Sequence, residues 1–127
     1  MILLCCIGSG FIGSNFIRYL LSDGGVDSRF KGRVGNLDKL TYAGNPLNLV
    51  DIEEKYGNCT GEGRYVLVYG DICDTEPVDR ILSEYQIDRV VNLAAENHVD
   101  RSKHGPAVFI RTNILGTFTL LETEVYF

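Results

Sequence analysis

No apolar run in this 127-residue chain approaches the roughly 20 residues a membrane helix needs, so no membrane span is expected within it. Basic residues are outnumbered. Lys and Arg total 12 against 17 Asp and Glu, a formal charge of −5. Phosphate-backbone binding needs a basic stripe, so nucleic acid is not an expected partner. The four cysteines offer no C-x-x-C pair and no Cys/His cluster, which argues against a metal site. Cys5 and Cys6 are neighbours in an apolar segment, while Cys59 and Cys73 stand alone. Free, reduced thiols and a cytoplasmic location are the expectation, with the buried ones acting as small hydrophobes. The opening Met1-Ile-Leu-Leu-Cys-Cys lacks a charged n-region, and its apolar core stops too soon, before Gly8, for a signal peptide. Repeats, low-complexity tracts and linkers are lacking too. That leaves one ordinary globular domain at 45% hydrophobic content.

What the chain has is a glycine turn in context. The run Ile2-Leu-Leu-Cys-Cys-Ile7 flows straight into Gly8-Ser-Gly10-Phe-Ile-Gly13. An apolar strand meeting a glycine turn that opens a helix is how a chain cradles a dinucleotide pyrophosphate. Gly8 and Gly10 would let backbone approach the phosphates, and Gly13 would let the helix pack close to its strand. The helix N-terminus adds N–H groups and a partial positive charge. Asp38 ends the next apolar stretch, placed to accept hydrogen bonds from the adenosine ribose and to repel a 2′-phosphate, which favours NAD over NADP. Lys39 follows and would soften that repulsion. The alternative is that the glycines merely permit a tight turn; the strand before, the helix after and the acid downstream favour cofactor binding.

Strands and helices alternate along the rest. Phe11, Ile12, Phe16, Ile17, Leu20 and Leu21 set an apolar face at helical spacing, and Asp23-Gly-Gly25 ends that helix. Val34 to Asp38 reads as a second strand, Thr41 to Pro46 as a loop, and Leu47 to Lys55 as a short helix. Tyr65 to Tyr69 is a third strand after a turn-rich insert at Asn58 to Gly63. A helix over Glu76 to Tyr85 turns Val78, Ile81 and Leu82 inward. Arg89 to Leu93 is a fourth strand, and a long helix runs from Pro106 to about Val125 with Pro near its first turn. Continuous apolar strands alternating with helices predict a parallel sheet covered on both faces.

Ligands of such sheets sit at the carboxyl ends of the strands. That rule selects Asp38, then Asp71-Ile72, then Leu93-Ala-Ala-Glu-Asn97. Asp71 is read either as a hydrogen-bond partner of an adenine amino group or as a helix N-cap or turn residue. Ala94 and Ala95 are small enough for backbone to lie against a cofactor, or simply pack tightly. His98 and His104 have no ligand spacing and read as surface or satisfied histidines.

At these residues the chain resembles a known family. Leu37-Asp-Lys-Leu-Thr-Tyr-Ala-Gly-Asn45, Gly70-Asp-Ile-Cys-Asp74 and Leu93-Ala-Ala-Glu-Asn-His-Val-Asp-Arg-Ser102 are similar to the dTDP-glucose 4,6-dehydratases, extended short-chain dehydrogenase/reductases of the NAD-dependent epimerase/dehydratase superfamily. Phe109-Ile-Arg-Thr-Asn113 and Gly116-Thr-Phe-Thr-Leu-Leu-Glu122 continue the likeness, which covers nearly the whole chain. Beside the glycines, the resemblance implies NAD contacts from Phe11, Ile12, Asp38, Lys39, Leu40 and Thr41. It adds Asp71 and Ile72 near the adenine, then Leu93, Ala94, Ala95, Glu96 and Thr112 along the rest of the dinucleotide. Asn97 stands where the family faces its sugar nucleotide, usually with Ser. The long helix resembles one that builds the family's homodimer interface.

The implied reaction moves hydride from the sugar C4 to NAD, loses water across C5 and C6, and returns the hydride to C6, giving a 4-keto-6-deoxy sugar. The protein holds the nicotinamide and supplies acid and base. Two departures bear on it. Ile7 and Cys6 stand where the family has its first glycine and a threonine; if that backbone position requires positive φ, a β-branched residue there costs about 1–3 kcal/mol, and weakened NAD binding is expected. The family's Tyr-x-x-x-Lys pair has no counterpart, the nearest string being Tyr85-Gln-Ile-Asp-Arg89, so no catalytic residue is assigned. The expected architecture is α/β, a Rossmann-type doubly wound parallel sheet truncated after the fourth strand and its helix. Residues 1–127 are then an incomplete N-terminal NAD-binding domain without the substrate domain. The expected function is the NAD-binding portion of an enzyme acting on dTDP-glucose, inactive by itself. The alternatives are a non-catalytic NAD-binding or interaction module, a related 4-epimerase fragment, or a damaged fragment with no function of its own.

Overall fold

The computed structural model describes residues 2–6, 8–22, 30–40, 44–57, 63–95 and 103–125. Four strands, β1 (Ile2–Cys6), β2 (Arg33–Asp38), β3 (Tyr65–Tyr69) and β4 (Arg89–Asn92), form one sheet in the order β3-β2-β1-β4. Every neighbouring pair is parallel. β1 is apolar throughout and lies inside the sheet, where a strand has no solvated face to alternate toward. Cys6 lies opposite both Leu37 and Asn92, and Asp38 lies opposite Tyr69, so the carboxyl ends of the strands come level along one rim. This order is the first part of the 3-2-1-4-5-6 arrangement of dinucleotide-binding sheets.

Parallel neighbours require crossovers, and helices supply them. α1 (Phe11–Leu21) joins β1 to β2, and α3 (Thr75–Glu84) joins β3 to β4. The short helix expected from Leu47 divides into a 3₁₀ turn over Pro46–Leu49 and α2 over Val50–Tyr56. Pro46 at the first position and the Asn45 side chain, which accepts from Leu47 N at 3.0 Å, tighten that opening turn. The long helix is not continuous either. α4 (Pro106–Ile110) passes into a π-helical segment over Arg111–Gly116 and then α5 (Thr117–Val125). The widened turns end where the helix presses on the exit of β3. A Cβ on Gly116 would overlap Ile72 Cδ1 and lie 2.7 Å from Ile72 Cγ1.

Both faces of the sheet are covered. Against α1 and α2 pack Ile17, Leu21, Val34, Leu49, Ile52, Tyr56 and Tyr65. Against α3 and α5 pack Leu4, Cys6, Leu37, Val78, Ile81, Leu82 and Leu120. β2 serves both, Val34 on one side and Leu37 on the other, as alternation along a strand requires. The expected inward turn of Val78, Ile81 and Leu82 holds, and Tyr85 packs at the edge of their cluster. Phe11 and Ile12 do not join α1's apolar face. They are 83% and 68% exposed, at the helix mouth rather than over the sheet. Among the described residues no helix is long and apolar enough to cross a membrane, and no group of His, Cys, Asp and Glu could hold a metal ion.

Candidate dinucleotide site

Ser9, the residue between the first two glycines of the turn, is the fastening point of the site. It is fully buried. Its N–H donates to Asp38 Oδ2 at 3.0 Å, and its carbonyl accepts from Asn45 N at 3.1 Å and Asn48 Nδ2 at 3.0 Å. Its Oγ accepts from Asn36 Nδ2 at 3.1 Å. Asn36 also accepts from Gly8 N at 2.8 Å and donates to Tyr65 OH at 3.0 Å. The turn after β1 is thereby pinned from β2, β3 and the loop that follows β2. A buried polar side chain must find partners, and this one finds three.

The three glycines have different surroundings. Gly8 faces protein: a Cβ there would overlap Ile17 Cδ1 and come within 2.5 Å of Asn36 Oδ1. Its missing side chain gives α1 and Asn36 the room they occupy. Gly10 is the N-cap of α1, in extended backbone, and Gly13 is buried in the first turns. No side chain among the described residues caps α1, and its first turn holds no acidic residue. An anion would meet uncapped N–H groups and the positive end of the helix dipole, with no carboxylate to oppose it.

Asp38 closes the far side. It is buried, and both oxygens are in use: Oδ2 takes Ser9 N–H, and Oδ1 takes Leu40 N–H at 2.7 Å. Leu40 has φ 55, a left-handed conformation that costs a side-chain-bearing residue about 1–2 kcal/mol. The tight turn over Asp38–Leu40 holds it there. Gly44 comes in so closely that a Cβ on it would lie 2.8 Å from Asp38 Oδ1. A carboxylate offers about four acceptor positions, so ribose hydroxyls would share Asp38 with the backbone rather than own it.

At the end of β3, Asp71 Oδ1 accepts from Cys73 N at 2.9 Å, the turn geometry read as one of its two alternatives. Oδ2 pairs with Lys39 Nζ at 3.0 Å and Arg111 Nη2 at 3.5 Å. Partial burial works to raise the Asp71 pKa, but the Cys73 amide and the Lys39 ammonium outweigh it and hold the carboxyl below its ordinary value. Burial, then the Asp71 carboxylate, push the Cys73 thiol up, so it stays protonated and donates to Arg111 O at 3.1 Å. Cys6 and Cys73 are in no disulfide.

β4 closes at Asn92, one residue short of expectation, because Asn92 Oδ1 takes Ala94 N–H at 3.0 Å and turns the chain. Leu93 still donates to Cys6 O at 3.2 Å. Ala94 is buried, Ala95 exposed, and Thr112 is half-buried in the π segment. Ile72 is buried beneath Gly116. His104 is exposed, as expected. Ile7, Thr41, Glu96, Asn97 and His98 lie outside the described residues.

A profile of the GDP-mannose 4,6 dehydratase family matches residues 6–124. The chain belongs to that family. It is 48% identical over 115 residues to a dTDP-glucose 4,6-dehydratase of Salmonella typhimurium, covering 91% of this chain and 28% of that protein. It is also similar to two solved structures. One is a dTDP-glucose 4,6-dehydratase of Streptomyces venezuelae with NAD bound, at TM-score 0.85 and 42% identity over 98% of this chain and 36% of the other. The second, from Bacillus anthracis in complex with NAD, matches at TM-score 0.75 and 34% identity over 96% of this chain and 33% of the other. The chain spans about a third of the length of these family members, and the Rossmann-type sheet is common to them.

Within this dehydratase-family framework, Asn36, Asn45, Asn48 and Tyr65 are the site-supporting residues that sequence reasoning passed over. Asn36 had a signal. A lone amide in the apolar stretch Val34-Gly-Asn-Leu37 must be hydrogen-bonded to be tolerated there. The other three are recognisable only once the fold brings them to Ser9 and Asn36.

Proposed function

We propose that this chain is the NAD-holding portion of a nucleotide-sugar 4,6-dehydratase that acts on dTDP-glucose. The observation that carries the reading is the uncapped N-terminus of α1, braced through Ser9 by Asn36 and Asp38 at the carboxyl ends of β1 and β2. Its likeness to NAD-bound dehydratases supports it. NAD, when bound, supplies the hydride acceptor. Gly10, Phe11, Ile12 and Gly13 hold the pyrophosphate through backbone N–H groups, and Gly8 keeps the turn in place behind them. Asp38, with Lys39, Leu40 and Thr41, lines the ribose. Asp71 and Ile72 border the adenine, and Leu93, Ala94, Ala95, Glu96 and Thr112 border the remainder. Asn97 faces the sugar nucleotide.

The sequence holds no Tyr-x-x-x-Lys pair, so a polypeptide of these 127 residues binds cofactor without moving protons and yields no 4-keto-6-deoxy product. We further propose cytoplasmic residence and homodimer formation. Calorimetry with NAD tests the core of this reading. Asp38→Ala loosens binding and Ile7→Gly tightens it; no change with either variant removes the cofactor assignment.

A further inference from the structure

Lys39 directly follows the acid at the end of β2, and a cation near that acid is what accommodates a 2′-phosphate in sheets of this kind. Its ammonium is engaged elsewhere, 3.0 Å from Asp71 Oδ2. Arg111 reaches the same oxygen at 3.5 Å and Asp74 Oδ1 at 3.6 Å. Two cations thus face two carboxylates and the cluster cancels. Asp71 is its fixed member. Its side chain is 14% exposed, against 50% for Lys39 and 49% for Arg111. Its Oδ1 is held by the Cys73 amide.

We propose that Asp71 sets the preference for NAD over NADP by holding Lys39 away from the ribose end, so that Asp38 meets a 2′-phosphate with no counter-charge beside it. Besides bordering the adenine, Asp71 acts on this preference through Lys39, and in that respect it is a positioning residue. The inference rests on the NAD-holding reading above and adds the discrimination between the dinucleotides. Asp38 alone would leave the preference weak, because the next residue carries the opposite charge. Removing the Asp71 charge leaves one cation of the cluster unbalanced and frees Lys39 to turn toward Asp38.

The test is calorimetric titration of the chain with NAD and separately with NADP. It compares wild type, Asp71→Asn, Lys39→Met and the double variant, at low salt and at about 0.5 M salt, where exposed charges are screened. Asparagine keeps an oxygen for the Cys73 amide, so the turn survives. Wild type prefers NAD. Any loss at the adenine falls on both dinucleotides alike, so the readout is their ratio: Asp71→Asn narrows the NAD-to-NADP affinity ratio by about fivefold in favour of NADP, the size an exposed ion pair commands. Adding Lys39→Met restores the ratio, and the gain fades at high salt. An unchanged ratio overturns the proposal, as does equal weakening of both dinucleotides or a narrowed ratio that survives loss of Lys39. Failure of wild type to bind either dinucleotide overturns the NAD-holding reading itself, and the proposal with it.

Discussion

Asn36 Oδ1 accepts the Gly8 amide proton at 2.8 Å, so a side chain from the middle of β2 supports the turn that follows β1. Asn36 Nδ2 in turn donates to Ser9 Oγ and Tyr65 OH. Replacing it with leucine, Asn36→Leu, keeps bulk and strands the buried Gly8 N–H. Leaving a buried donor unpaired costs about 1–3 kcal/mol, and the lost hydroxyl contacts add to it, so urea unfolding is expected to show a loss of about 2–4 kcal/mol. Tyr65→Phe removes one of the three contacts and is expected to cost about 1 kcal/mol. Equal midpoints for wild type and Asn36→Leu would show that the turn stands without its brace.

Gly8→Ala tests the same contact from the other side. The new methyl would overlap Ile17 Cδ1 and crowd Asn36 Oδ1. Ile17 is fully buried on the α1 face of the sheet and has little room to retreat. Overpacking of this kind costs about 1–3 kcal/mol. NAD affinity is expected to fall with stability, because the displaced turn carries the start of α1. A Gly8→Ala protein as stable as wild type would mean that the turn has slack.

Much of this was legible in the residues before any coordinates. β3 runs from Tyr65 to Tyr69 as read, the expected helix after the glycine turn forms as α1 over Phe11–Leu21, and the apolar β1 lies inside the sheet. Those elements are set by local pattern: unbroken apolar strands, and helices with an apolar stripe. What escaped depends on where other elements come to rest. Phe11 and Ile12 fit a helical stripe by spacing, yet the turn before α1 sets them at its solvent end. Gly116, at the end of the π segment, packs on Ile72, a contact 44 residues apart in sequence that no local pattern reports. Asp38 was legible as an acid at the strand end, but its bonds to Ser9 and Leu40 required the loops to be in place.

Acid should expose the contribution of Asp71. Its folded pKa is held below the ordinary value of 3.8, so the carboxylate favours the folded state above that value. The contribution is lost as pH falls through the lower folded value. Asp71→Asn never has it. Thermal melts are therefore expected to place wild type above Asp71→Asn near neutral pH, and the gap should close below the ordinary carboxyl value. A gap that persists unchanged into strong acid would assign it to something other than this charge.

Association is the last expectation, and it follows from how the long helix divides its faces. Gly116, Thr119, Leu120 and Thr123 are buried on the sheet side. Ile110, Ile114, Phe118 and Leu121 form the other stripe, at 59%, 63%, 56% and 58% exposure, with Leu115 at 40% beside them. Their spacing keeps them on one side of the helix, an arrangement that presents a continuous apolar face. Among the described residues β4 pairs only with β1, leaving its second edge open. An apolar face beside an open strand edge invites a partner. Light scattering at micromolar concentration is expected to show dimers or larger species. Phe118→Glu with Leu121→Glu should shift them toward monomer while leaving the Leu120 contacts, and hence the fold, in place. A concentration-independent monomer that melts cooperatively would show that the chain tolerates this face in water, and the homodimer proposal would fall.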